Sequence, residues 1–187
     1  VGTRAGLGRA RRLPSSAAAA GLRFEGIVAG SPRVVRRIIE RGPRRLWLGT
    51  AFNFVVRADL PAGGVFAGTA DFIGAGEGEG TVSELGGRIV AMGDGDLRVV
   101  EEATGALVFD PALAALQVRG TAWVLVEDRR GNVWFNTEPP SAILKRPDGS
   151  YDTVARRPQG ISSKDIQALF ADSDGTIWIG GDRGVVH

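Results

Sequence analysis

Apolar residues in this chain come in short runs cut by turns rich in glycine and aspartate. Helical spacing is absent. Residues 166–171, Ile-Gln-Ala-Leu-Phe-Ala, form one such run, followed by Asp172-Ser173-Asp174-Gly175 and then by Thr176-Ile177-Trp178-Ile179-Gly180. Asp at the first position and Gly at the fourth is the composition of a type I turn. The carboxylate accepts from backbone N–H groups and Gly relieves the exit. The run after the turn is apolar on consecutive residues. A strand with one wet face alternates, so this pattern predicts a strand buried on both faces. Gly181-Asp182-Arg183-Gly184 predicts the next turn. Upstream, residues 142–154 predict a strand, a Pro147-Asp148-Gly149 turn and an outer strand, giving four strands per unit.

The pattern repeats. Leu169, Phe170, Asp172, Gly175, Ile177 and Trp178 each stand 44 residues after Leu125, Val126, Asp128, Gly131, Val133 and Trp134. Another 44 residues back lies Val90 in a degenerate copy, and 43 before that is Trp47 in Leu46-Trp47-Leu48-Gly49-Thr50. A further 47 residues lead to the position just ahead of Val1. Val1-Gly2-Thr3-Arg4-Ala5-Gly6-Leu7 therefore lies over Ile179-Gly180-Gly181-Asp182-Arg183-Gly184-Val185. A period near 44 residues, with short strands and frequent turns, is what one propeller blade requires. The predicted fold is all-β: a β-propeller of four-stranded antiparallel blades filling residues 1–187. Its units run over 1–47, 48–90, 91–134 and 135–178, with the start of another at 179–187. Residues 13–22 read as a short helix or an insertion.

Composition changes this picture little. The chain has 187 residues, 28 of them Gly and none Cys, which favours tight turns and removes any disulfide framework or thiolate metal site. No apolar run reaches the roughly 18 residues of a membrane span. The net charge of +2 hides an asymmetry: twelve Arg face only Glu25 and Glu40 in residues 1–57, a local +10 that leaves −8 for the remainder. Such a basic stretch would suit a nucleic-acid or anionic-lipid surface. But the arginines are scattered through apolar segments, do not line a helical face and have no interleaved aromatics to stack bases, so no nucleic-acid partner is expected.

Candidate chemistry is sparse. His187 is the lone histidine and the last residue, so neither a Ser-His-Asp arrangement nor a histidine metal site has a second ring to draw on. Asp172-Ser173-Asp174-Gly175 has the start of a calcium loop but not its later acidic ligands, and its copy Asp128-Arg129-Arg130-Gly131 puts arginine where a ligand would be. Residues 74–80, Gly-Ala-Gly-Glu-Gly-Glu-Gly, carry carboxylates where a phosphate cradle needs bare N–H groups. Trp47, Trp134 and Trp178 recur in register and read as core. Trp123 breaks register: burial is the expected outcome, and exposure at a functional face is the alternative. No catalytic, cofactor-binding or metal residue is assigned, no cofactor is expected, and the ligand-binding residues stay unassigned.

Residues 160–185 resemble the two-component regulator propeller repeat, G-[LI]-x-x-x-x-[IV]-x-x-[LI]-x-x-D-x-x-G-x-[IL]-W-[IV]-G-T-x-x-G-[LV]. Gly160, Ile161, Ile166, Leu169, Asp172, Gly175, Ile177, Trp178, Ile179, Gly180, Gly184 and Val185 match, and Gly181 departs from Thr. Phe135-Asn136-Thr137 stands for Ile-Gly-Thr one period earlier, residues 46–50 and 1–8 match the tail of the motif, and residues 87–100 match poorly. The resemblance implies a seven-bladed ring, of which this chain would be an open arc. It also implies the periplasmic, extracytoplasmic part of a bacterial histidine kinase, hybrid two-component protein or diguanylate cyclase. In that reading the chain is not an enzyme but a sensory or binding module. Its partner would be a small-molecule or glycan-like ligand, or a protein, met at the mouth of the central channel. Membrane and output segments would lie outside these residues, and the full-length protein would form a homodimer. Residues 131–149 also resemble a streptogramin lyase blade, G-N-x-W-F-T-E, whose enzymes depend on His and Glu in the channel. A structural, protein-docking propeller is the third reading. An open arc exposes two blade faces, so association or low stability is expected. A monomer melting cooperatively would point instead to a small closed propeller.

Overall fold

The computed structural model describes residues 2–12, 22–28, 30–42, 44–52, 55–60, 71–75, 80–93, 96–114, 116, 122, 124–137, 140–152, 156, 166–181 and 184–186. They fall into two compact units, Val1–Val82 and Ser83–His187. The sheets are antiparallel meanders: every strand pairs with its neighbour in sequence. They are the blades of a β-propeller fold.

The first unit holds two sheets. One contains β1 (Gly2–Thr3), β2 (Gly6–Arg12) and β3 (Leu22–Ile27). The other contains β4 (Val35–Arg41), β5 (Arg45–Thr50), β6 (Val55–Asp59) and β7 (Asp71–Ala75). Between them Leu7, Val28, Val35, Leu48, Val56 and Ala58 form a buried cluster. Each buried Leu or Val contributes about 1.5–3 kcal/mol relative to exposure. Two backbone bonds frame Val34, from its N–H to the Arg4 carbonyl (3.2 Å) and from the Ala51 N–H to its own carbonyl (3.3 Å). They hold this β-branched residue at a φ of 54°, a strained conformation.

The second unit carries three sheets. The first joins β8 (Thr81–Leu85), whose first two residues belong to the first unit, to β9 (Arg88–Gly93), β10 (Asp96–Val100) and β11 (Leu107–Val108). The next has β12 (Leu125–Glu127), β13 (Val133–Phe135) and β14 (Ser141–Ile143), and the last β15 (Ile166–Ala171), β16 (Ile177–Gly181) and β17 (Gly184–Val186). Leu85, Val90, Met92, Leu97, Leu125, Val133, Phe135 and Ile143 pack the first of these sheets on the second, with Leu113 and Leu116 closing the cluster. Leu113 arrives on α1 (Pro111–Ala114), where Asp110 caps the N-terminus by accepting from Ala112 N–H (2.8 Å) and Pro111 takes the first helical position. Val126, Ile166, Leu169 and Ile179 pack the second sheet on the third.

The overlay of the two chain ends reappears in the register. Gly2 pairs with Leu7 and Thr3 with Gly6; Gly180 pairs with Val185 and Gly181 with Gly184. Within residues 142–154 the Pro147-Asp148-Gly149 turn forms, and the chain after it pairs antiparallel through the bridges of Ala142 with Arg156 and Lys145 with Tyr151, while residues 153–155 lie outside the described residues. One expectation fails. Burial on both faces holds for Trp47–Thr50 but not for Ile177–Gly181, where Ile179 is buried and Trp178 is 38% exposed. Phe170 pairs with Trp178 across the ladder and Val185 with Gly180, so Phe170, Trp178 and Val185 put an exposed apolar set on one face of the sheet.

Candidate functional site

Three hairpins of the second unit use one turn. Gly131, Gly149 and Gly175 donate to the carbonyls of Asp128, Arg146 and Asp172 at 2.9, 2.9 and 3.1 Å. All three glycines sit at positive φ, 79°, 85° and 94°, which closes a three-residue loop as a type I turn followed by a glycine bulge. At Gly131 a Cβ would also lie 2.6 Å from Lys145 Cδ and would push that flexible side chain aside.

The aspartate that opens the turn does more than cap it. The Asp128 carboxylate accepts from Arg130 N–H (2.8 Å), Asn132 N–H (2.9 Å), Asn132 Nδ2 (2.9 Å) and the Trp134 indole Nε1 (3.0 Å). Burial pushes this carboxyl up, but the bonds from the Trp134 indole, Asn132 and Arg130 outweigh it and hold it below the ordinary carboxylate range. One period later Asp172 accepts from Ser173 N–H (2.6 Å) and Trp178 Nε1 (3.2 Å). The tryptophans therefore tie turns as well as packing. Among the described tryptophans Trp47 alone is fully buried, while Trp134 is half-buried and Trp178 exposed, which corrects the plain core assignment. The missed signal was the constant spacing of six residues between Asp and Trp.

Successive turns are stitched together. Arg129 donates from Nη1 to the Ser173 carbonyl at 3.0 Å, 44 residues away. Beside this link a cleft of about 630 Å³ is lined by Asp128, Arg129, Arg130, Asn132, Trp134, Leu144, Asp174 and Gly175. Its volume lies in the range of small-ligand sites. The Asp174 carboxyl is held low by the Thr176 backbone N–H and side chain. The lining thus offers two guanidinium groups, two carboxylates, an amide and one aromatic ring, a set suited to a polar uncharged ligand rather than a bare ion. At the opposite end of the same hairpin, Asn136 accepts from Val124 N–H (2.7 Å) and donates to the Ile166 carbonyl (3.0 Å), where the repeat has Gly.

Sequence reasoning singled out other residues. Asp172 to Gly175 form the expected turn, and Asp174 and Gly175 line the cleft. Trp123, His187, residues 13–21 and residues 76–79 lie outside the described residues. Among the described residues no group of three His, Cys, Asp or Glu is placed to hold a metal ion, and no helix is long and apolar enough to cross a membrane.

Comparison with known proteins agrees with this geometry. Residues 160–183 match the family model described as two component regulator propeller. That bears out the resemblance over those residues. No curated protein matches the chain. Among solved structures, the chain is similar to the extracellular domain of the one component system BT4673 from B. thetaiotaomicron, with a TM-score of 0.59 and 16% identity. The match covers 96% of this chain and 26% of that one, so the chain spans about a quarter of its structural neighbour.

Proposed function

We propose that this chain is a non-catalytic sensory propeller module of a bacterial signal-transduction protein, and that it works outside the cytoplasm, in the periplasm. The observation that carries the reading is the two component regulator propeller match at 160–183 on a fold shared with an extracellular domain. The ligand is small and polar, of glycan-like chemistry, and it meets the cleft between the turns at 128–131 and 172–175. Arg130 supplies charge-assisted donors there, and Trp134 supplies an apolar ring.

The test is a thermal-shift screen of the chain against mono- and oligosaccharides, followed by calorimetry on any hit. A saturable shift that falls at least tenfold in affinity in Arg130→Ala supports the reading. Turnover of the hit, seen as a mass change in the recovered compound, would establish an enzyme instead. A hit insensitive to Arg130→Ala would remove the cleft as the site.

A further inference from the structure

Three sheets have one face that the next sheet of the same unit covers. In the first unit Leu7 of β2 packs with Val35 and Leu48 of the sheet β4–β7. In the second unit Val90 of β9 packs with Leu125, Val133 and Phe135 of the sheet β12–β14. Val126 of β12, with Trp134 paired beside it, packs with Ile166, Leu169 and Ile179 of the sheet β15–β17. The last sheet has the same face, but exposed. Phe170 and Trp178 stand 44 residues after Val126 and Trp134, and pair across β15 and β16 as those two pair across β12 and β13. Val185 pairs with Gly180 as Leu7 pairs with Gly2. Burial is reversed between these equivalents. Leu7 is 3% exposed and Val185 67%, while Val126 is 9% exposed and Phe170 60%.

The residues paired across this face, Ala168, Phe170, Trp178, Gly180 and Val185, are all uncharged. Aromatic residues grouped on an exposed sheet face mark an interaction site, and Phe and Trp are enriched in such contacts. The Trp178 indole is already oriented by its bond to Asp172, so little ordering is left for a partner to impose. One period earlier the matching face meets an aliphatic surface, that of Ile166, Leu169 and Ile179. The first sheet of the chain presents the equivalent surface. Ile27 pairs with Gly8, the residue after Leu7 on β2, so it stands on the face opposite Leu7. Gly8 overlays Val186, the register partner of Ile179, which places Ile27 on the face that Ile179 uses in the last sheet. Ile27 is 40% exposed.

We propose that the face of Phe170, Trp178 and Val185 seats the Ile27 face of a second copy of this chain, a head-to-tail contact that continues between molecules the packing of one sheet on the next. The occupant is a second copy because its first sheet is built on the same repeat and offers the surface that this face meets one period earlier. The two faces differ, so the contact is heterologous. Each copy gives one face to each neighbour, and growth stops only where a ring closes.

Sedimentation velocity of the whole chain between about 5 and 500 μM tests this. A sedimentation coefficient that rises with concentration is expected. Val185→Asp and Ile27→Asp should each weaken association about tenfold or more, since either places an unpaired carboxylate in the contact. Both positions are exposed, so the fold should hold. If Val185→Asp fails to fold, Phe170→Lys carries the test of that face. Mixed one to one, the two Asp variants should form a dimer that grows no further, because each keeps the face the other lacks. A chain that stays monomeric throughout would overturn the proposal and leave the face to a further sheet of the repeat or to a different protein. Association that survives Val185→Asp, as edge-to-edge strand pairing would, also overturns it. So does association that survives Ile27→Asp, as two copies meeting through one shared face would, or a mixture that forms no dimer.

Discussion

Trp134 and Trp47 hold the same place in their hairpins, yet their indoles meet different surroundings. In the second unit Asp128 gathers four donors, the indole among them, and the ring is half-buried. In the first unit the equivalent of Asp128 is Arg41, the ring is fully buried and its N–H is unpaired. The difference teaches that one repeat position can be stabilised in two ways. The second unit relies on a polar tie that fastens a turn. The first relies on burial of the ring.

Truncation should separate the two ways most widely. Trp47→Ala is expected to cost about 3–5 kcal/mol, as a large aromatic removed from a closed core. Trp178→Ala, at 38% exposure, should cost about 1 kcal/mol, both read from urea denaturation. Equal losses would break the contrast.

Next in size is the turn carboxylate. Asp128→Ala should cost about 2–3 kcal/mol, since it strands several donors bonded to a charged group. Asp172→Ala should cost about 1 kcal/mol, its bond to Trp178 being longer and exposed. The pH dependence carries a definite sign. The folded pKa of Asp128 lies below its unfolded value of about 3.9. Its contribution is therefore present above that value and lost as pH falls through the folded pKa. A melting series between about pH 5 and pH 2 should show a shallower acid decline in Asp128→Asn than in wild type. The smallest effect belongs to Arg129→Ala, which removes an exposed link to the Ser173 carbonyl and should shift stability by under about 0.5 kcal/mol.

The propeller fold was legible because its signals are local. Asp and Gly three residues apart demand a turn, and a motif recurring near every 44 residues marks the repeat. The Asp128–Trp134 tie was half legible: both residues stood out, but the bond joins a turn to the strand after it, which composition does not announce. That Arg37, Arg41, Arg45 and Arg57 share one face of the sheet β4–β7 was hidden for a related reason. Positions 37, 41, 45 and 57 have no common spacing, and only pairing across two hairpins brings them together. The burial of Ile177–Gly181 was misread because consecutive apolar residues record what a strand can tolerate, not what covers it.

The reach of Arg129 bears on how such a chain changes over generations. Its target is the carbonyl of Ser173, a group that every residue type carries. A side chain that binds a neighbour's backbone makes no demand on the neighbour's sequence. The second residue of the downstream turn is therefore free to drift while the stitch survives. A duplication or loss of one 44-residue period would also present Arg129 with an equivalent carbonyl. Contacts of this kind let a tandem gene shrink or grow without rewriting the seam, whereas the Asp128–Trp134 pair must be inherited together.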